Sequence, residues 1–399
     1  MRISTANAFD NGIDTLSRRQ AEMTALQDQL TSGKRISRAS DDPAAAARAE
    51  RAIASVGRSE TSQRAVDASK VLMTQTESNL GDAGTLLQRA RELVVSAGNA
   101  SFSDADRTSV ANELQSLRDQ LFAVANQSDG AGTYLFGGQG ATQQPFVDTP
   151  TGVQYVAATG QTVTENGTAL PLTTDGQAAW LTARTGNGVF VTSAAATVKN
   201  ATIDNGRVAD PSALTGADYT LQFSVAGGAT TYAVLKNGLA TAVTAAPYVS
   251  GQAITVDGMT ISVSGTPATG DQFQIAPSTP TLGVFAVLDQ TIAALKLPGR
   301  TGAQIAQGNA DSLRDVDAVL GNLQSARSAA GQVLNRIDSE TNRLDSQKLA
   351  STTERSNAED VDMVHAISDF QNKQSGYDAA LKSYAMVQRL SLFQYVNGG

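Results

Sequence analysis

The chain has 399 residues, enough for two or three domains, with no cysteine and a single histidine, His365. These counts exclude disulfides, thiolate nucleophiles, cysteine-ligated metals and any site built from several histidines. The formal net charge of −8 argues against nucleic acid as the main partner. The chain contains no run of 18 apolar residues, so no transmembrane helix is predicted. Its first residues lack the apolar segment of a secretory signal peptide.

The first predicted element is an amphipathic helix near the N-terminus. Its apolar stripe recurs every seven residues, at Phe9, Leu16, Met23 and Leu30. A break is predicted at Thr31–Gly33. One face of this helix is apolar, so it needs a partner to cover that face.

A longer helix is predicted to begin at Asp42-Pro43, because aspartate caps free backbone N–H groups and proline suits the first helical position. Its apolar residues again recur at seven, which indicates a supercoiled partner; they are Val66, Met73, Leu80, Leu87 and Val94. A third helix is predicted from Ser103, whose spacing to Asp106 is typical of a capping box.

The middle of the chain has a different composition. Eight of the ten prolines lie between Pro145 and Pro280, and residues 139–280 contain only 12 charged residues. This composition predicts strands and turns, in two small units. The clearest hairpin joins Ala253–Val256 to Met259–Val263 through Asp257-Gly258, a favoured two-residue turn.

The C-terminal arm is predicted to be helical again, with no proline after Gly299. A long helix covers Leu313–Leu344, and a polar break is predicted at Ser351–Thr353. The last helix carries a stripe at Met363, Ile367, Phe370, Tyr377, Leu381 and Tyr384. We expect the two chain ends to pair with each other and with neighbouring copies, and to become ordered on assembly, since such short stripes bury little apolar surface alone.

No pattern in the chain predicts catalysis, a metal or a cofactor. Asp41 and Asp42 are paired carboxylates, but helix capping explains them better. His365 has no catalytic neighbours in the last helix, and Gly137-Gly138 and Gly227-Gly228 are turns rather than phosphate loops. The mixed charges of the helical faces favour helix–helix packing over membrane insertion.

Several segments resemble the bacterial flagellin family. The segment from Leu30-Thr31-Ser32-Gly33-Lys34-Arg35-Ile36 to Asp41-Asp42-Pro43-Ala44 is similar to the N-terminal signature of that family. Three further segments are more similar to the hook–filament junction members than to flagellins; they are Gly132–Gly138, Arg184–Phe190 and Leu390–Tyr395. Gly270-Asp271-Gln272-Phe273 is similar to β modules of hook-associated proteins and of some flagellins.

The resemblance implies an α+β fold, with long antiparallel coiled-coil helices from both chain ends and a central all-β insertion. Residues 1–42 and 351–399 would form terminal amphipathic helices of an inner tube, and 43–138 and 281–350 a helical coiled-coil domain. Residues 139–280 would form an outward β domain, divided into 139–200 and 201–280.

The resemblance also implies a function, a structural ring at the junction of hook and filament, outside the cell and exported without a cleavable signal peptide. The expected partners are further copies of the chain, hook-associated protein 1, flagellin and an export chaperone. The expected subunit-packing residues are Phe9, Leu16, Met23, Leu30, Phe370, Tyr377, Leu381, Tyr384 and Phe393. The alternatives are flagellin itself, an enzyme carried by the β insertion and a coiled-coil adhesin.

Overall fold

The computed structural model describes residues 2–165 and 167–396, and the side chains of 10–165 and 167–386. Two compact units appear in it: Met1–Arg64 with Thr341–Gly399, here the chain-end unit, and Ala65–Glu340, here the central unit. Long helices from both ends of the chain and antiparallel sheets between them form the predicted α+β fold.

Seven helices carry the helical part of the described chain. Their bounds are α1 Arg2–Ser32, α2 Pro43–Ala97, α3 Asp104–Ala125, α4 Gly176–Trp180, α5 Val284–Lys296, α6 Gly302–Glu359 and α7 Met363–Val396. Local chemistry begins α2 and α3 as predicted. The Ala45 backbone N–H donates to Asp42 Oδ1 at 3.0 Å, and Ser103 and Asp106 form a reciprocal capping box.

The chain-end unit contains α1, α7 and the parts of α2 and α6 that lie nearest to them in the chain. Between the helices, the chain segments after α1 and before α7 run side by side. The Arg35 N–H donates to the Glu359 carbonyl at 2.6 Å, and the Val361 N–H donates to the Gly33 carbonyl at 3.0 Å. The two helix breaks therefore lie together, joined through backbone groups.

The predicted break at Ser351–Thr353 was wrong, because α6 continues through it to Glu359. Serine and threonine are poor helix formers but cost only tenths of a kcal/mol each. The break occurs at 360–362, where Asp362 Oδ1 accepts from the Val364 and His365 N–H groups and begins α7.

The central unit has two separate apolar cores. The helical core combines α2, α3, α5 and α6, and its largest buried aromatic residues are Phe136, Phe146, Trp180 and Phe285. Trp180 stacks on Phe285 with ring centroids 5.8 Å apart. Phe146 and Trp180 come from the predicted β region, so its first part contributes to the helical core. Helix α5, which was not predicted from the sequence, supplies Phe285 and Leu288 to the same core.

Twelve strands lie in the region whose composition predicts strands and turns. They are β1 Phe146–Thr149, β2 Gly152–Tyr155, β3 Phe190–Ala194, β4 Ala201–Ile203, β5 Arg207–Val208, β6 Tyr219–Ala226, β7 Ala229–Lys236, β8 Leu239–Ala240, β9 Ala246–Pro247, β10 Ala253–Val256, β11 Met259–Gly265 and β12 Gln272–Pro277.

The strands β3–β12 surround the second core, which includes Tyr219, Phe223 and Phe273. One sheet has the order β3-β12-β6-β7-β8 with β9 also on β7, and another has β10-β11-β4 with β5 on β11. The predicted hairpin is confirmed, with Val256 opposite Met259. β3 pairs with β12, across the predicted division at residue 200; the division into domains itself stays a prediction.

Candidate assembly interface

Helices α1 and α7 lie antiparallel against each other. Glu22 Oε2 and Lys373 Nζ are 3.0 Å apart. Closer to the chain termini, Gly12 lies against the ring of Tyr384, and between these pairs Gly376 lies against the Arg19 guanidinium. Each step forward along α1 is matched by an equal step backward along α7, so one register holds over at least eleven residues of α1.

The predicted stripe residues lie mostly in this pairing. Leu16, Met23 and Leu30 on α1 are half-buried, and so are Phe370, Tyr377 and Tyr384 on α7. Leu381 is 40% exposed. The backbones of Phe9 and Phe393 lie in α1 and α7, and their side chains lie outside the described residues. Most of the predicted stripe is thus partly covered within one chain, and its packing between copies stays a prediction.

A second apolar surface on α7, here the α7 shoulder, is left exposed. It comprises Val364, Ile367, Leu381 and Met386, and Val364 is 79% exposed. At about 100° per residue, these side chains lie on one side of α7, next to the side that carries Ala366 and Tyr384. Val364 and Met386 were not predicted from the sequence, because both lie outside the seven-residue repeat; their position on the same side of the helix as Ile367 and Leu381 was the available signal.

Ion pairs and a helix cap lie along this region. Hydrogen bonding to Lys373 lowers the pKa of Glu22 below its usual value. At the helix break, the Ala45 N–H group and then Arg35 lower the pKa of Asp42. Lys34 Nζ lies 3.1 Å from Glu359 Oε2. The Glu22–Lys373 pair joins α1 to α7, and the Lys34–Glu359 pair joins the segment after α1 to the end of α6. Exposed pairs of this kind each contribute little to stability.

Asp41 and His365, the residues considered as catalytic candidates, both lie near the N-terminal end of a helix. Asp41 accepts from the Ser37 and Arg38 N–H groups and holds the turn before α2. His365 is exposed on the first turn of α7. Within the described residues, no three His, Asp or Glu side chains are placed to bind a metal ion, and no helix there is long and apolar enough to span a membrane. What the arrangement offers is an apolar surface for packing.

Family models match three parts of the chain. The bacterial flagellin N-terminal helical region matches residues 3–141, and the C-terminal helical region matches 313–396. Residues 191–277, which are nearly the span from β3 to β12, match the D2-like domain of flagellar hook-associated protein 1.

The curated relatives point the same way. Flagellar hook-associated protein 3 of Escherichia coli is 27% identical over 402 residues, covering 99% of both chains. The protein of the same name from Salmonella typhimurium is 39% identical over 150 residues, covering 37% of this chain and 46% of that protein. Flagellins also match, at 28–33% identity, over 32–59% of this chain.

The crystal structure of FlgL from Xanthomonas campestris has a similar fold. It is 30% identical to this chain with a TM-score of 0.67, and the match covers 76% of this chain and 99% of that one.

Proposed function

The chain belongs to the flagellar hook-associated protein 3 (FlgL) family, and we propose that it forms the junction between the hook and the filament. The match to the Escherichia coli relative carries this assignment, because it runs the length of both chains. The match to flagellins is the more distant one, so the filament subunit is the weaker alternative.

As a structural component of the flagellum, the protein would act through contacts with its neighbours. Several copies would form a ring, with hook-associated protein 1 on one side and flagellin on the other, and a chaperone would hold the chain before export. The α1/α7 pair would line the inner tube, and β3–β12 would face outward. A role in catalysis is not part of this proposal.

The α7 shoulder supports packing between copies. Half-buried Tyr384 lies against Gly12 of α1 in the same chain, whereas Val364, Ile367 and Leu381 remain exposed. A row of exposed apolar side chains along one side of a helix gains free energy when a neighbouring helix covers it, at roughly 25 cal/mol per Å².

Location is the first test of the proposal. Immunogold labelling of intact flagella with an antibody against residues 139–280 should give a narrow band where hook meets filament. Label along the whole filament would identify a flagellin instead, and flagella without label would contradict both assignments.

The packing surface has its own test, Leu381→Asp, which would place a charge in an apolar interface between copies. Ser383→Asp is the matched control, since it adds the same charge to an exposed position on another side of α7. In a strain lacking the native protein, Leu381→Asp should abolish filament growth, and Ser383→Asp should support it. Full-length filaments with Leu381→Asp would show that this surface does not pack.

A further inference from the structure

The segment from β3 to β12, residues 190–277 and here the β module, has an apolar core of its own. Its buried residues, such as Leu221, Phe223 and Ile275, are distinct from those of the helical core. Apolar packing therefore stabilises the inside of the module and does not by itself fix its orientation on the helices.

Polar side chains on the first turns of α6 make that connection. Gln304 Nε2 donates to the Val198 carbonyl at 3.1 Å, and Gln307 Oε1 accepts from the Ile203 N–H at 2.8 Å. Thr301 Oγ1, just before the helix, donates to the Lys199 carbonyl.

Further along α6, Arg314 Nη1 donates to the Thr192 carbonyl at 3.1 Å. From each to the next, the four residues that bond the module are three or seven positions apart, so they lie on one face at the start of α6. Each of them bonds a backbone group of the β module. One longer contact, from Arg314 to Asn205 Oδ1 at 3.4 Å, involves a module side chain.

This face is organised from within α6. Asp311 Oδ1 accepts from Gln307 Nε2 at 3.1 Å and from Arg314 Nη1 at 2.9 Å, and Asp315 accepts from Arg314 Nε at 2.9 Å. Gln307 is 7% exposed, and burial raises the pKa of Asp311. The donors and acceptors are thus held in place, which reduces the entropy lost in making their bonds to the module.

We propose that this face of α6 positions the β module by recognising its backbone, with Gln307 and Arg314 as the positioning residues. Surface side chains of the module are then free to differ without changing its orientation. Backbone groups are present in every sequence, so such contacts would persist when the side chains of the module change.

Amide hydrogen exchange tests the recognition at one atom. Gln307→Ala removes the acceptor of the Ile203 N–H, so that amide should exchange on the order of five-fold faster, the factor expected for one ordinary hydrogen bond. Gln324→Ala, at an exposed position of α6, is the matched control and should leave Ile203 unchanged. Unchanged exchange in Gln307→Ala would overturn the proposal.

Orientation is tested by spin labels, for which a chain without cysteine is well suited. Labels at Ser224→Cys in β6 and Ser328→Cys in α6 should give one narrow distance distribution. Arg314→Ala should broaden it, and Arg327→Ala, which removes an exposed α6 arginine paired with Glu77, should not. Gln304→Ala serves the same test if Arg314→Ala fails to fold, as judged by Trp180 fluorescence.

Backbone recognition also predicts that removing a side chain of the module, while keeping its carbonyl, leaves the orientation of the module unchanged. Lys199→Ala removes an exposed side chain and leaves the carbonyl that Thr301 bonds, so the distribution should stay narrow. Broadening by Lys199→Ala equal to that of Arg314→Ala, or a narrow distribution in Arg314→Ala, would refute the proposal.

Discussion

Arg118 shows how one side chain joins three elements of the central unit. From α3, its Nε lies 3.0 Å from Asp289 Oδ1 of α5, and its Nη1 contacts Asp148 of β1. The guanidinium carbon lies 5.8 Å from the ring centroids of Phe122 and Phe285. Only 7% of the side chain is exposed, so its charge depends on these partners.

Replacing Arg118 by methionine should lower the free energy of unfolding by about 1.5–3 kcal/mol, the range for hydrogen bonds to charged groups. Urea unfolding followed by Trp180 fluorescence measures it. Arg327→Met is the matched control, because that arginine is half-exposed in its pair with Glu77 and should cost under about 1 kcal/mol. Equal losses in the two variants would contradict the role of Arg118.

The same variant should show a defined pH dependence. Arg118 lowers the pKa of Asp148 below its usual value, so this carboxylate stabilises the fold above the ordinary aspartate pKa, and the effect is lost as the pH falls through the lowered value. The difference in stability between native protein and Arg118→Met should therefore be largest at neutral pH and shrink in acid. A difference that grows in acid would have the wrong sign.

At the scale of elements, the β10–β11 hairpin was predicted correctly because its signals are local. Asp257 and Gly258 both have positive φ, 37° and 79°, as a type I′ turn requires. Asp257 also accepts from Lys236 Nζ at 2.7 Å and from the Tyr219 hydroxyl. These contacts join the turn to β6 and β7, which the sequence around the turn does not show.

Gly228 and Gly258 have similar backbone angles but different surroundings. Replacing each by alanine therefore separates the cost of backbone strain from the cost of steric contact. In Gly228→Ala, φ of +83° is strained and the added Cβ meets open space, so the loss should be about 1–2 kcal/mol. In Gly258→Ala, φ is +79° and the Cβ would lie 2.2 Å from the Asp210 carbonyl oxygen, adding roughly 1–3 kcal/mol. Thermal unfolding of both variants measures the difference; equal losses would mean that the carbonyl moves aside freely.

At the scale of the whole molecule, the chain-end unit depends on pairing between residues more than 280 positions apart. Beside Glu22–Lys373, Glu60 lies 2.9 Å from Lys348, and Lys34 lies 3.1 Å from Glu359. The first pair joins α1 to α7, and the second joins α2 to α6. From residue 22 to 34 to 60, the partner's number falls from 373 to 359 to 348, so the two ends of the chain run antiparallel.

A carbodiimide, which joins a carboxylate to an amine in direct contact, should form these three links within single chains. Mass spectrometry of the digested monomer identifies them. Lys373→Arg keeps the charge but removes the amine, so it should delete the Glu22 link and leave the other two. Links from Lys373 to distant carboxylates, or links only between isotopically different chains, would contradict the pairing.

Local patterns in the sequence were enough to predict the helical arms, the cap at Asp42, the capping box at Ser103 and the hairpin at Asp257-Gly258. Each depends on neighbours within a few residues, through the periods of helix and strand and the hydrogen bonds of caps and turns. They also predicted that the helices at the two chain ends would pair with each other.

Tertiary structure decided what depends on distant partners. It carried α6 past Ser351–Thr353, because pairing along the helix outweighs weak local propensity, and it made α5 a helix buried in the helical core. It also decided which side of α7 remains exposed, what surrounds Arg118, and how α6 bonds the β module. Backbone groups that recognise side chains more than a hundred residues away leave no pattern in the sequence, since every residue carries them.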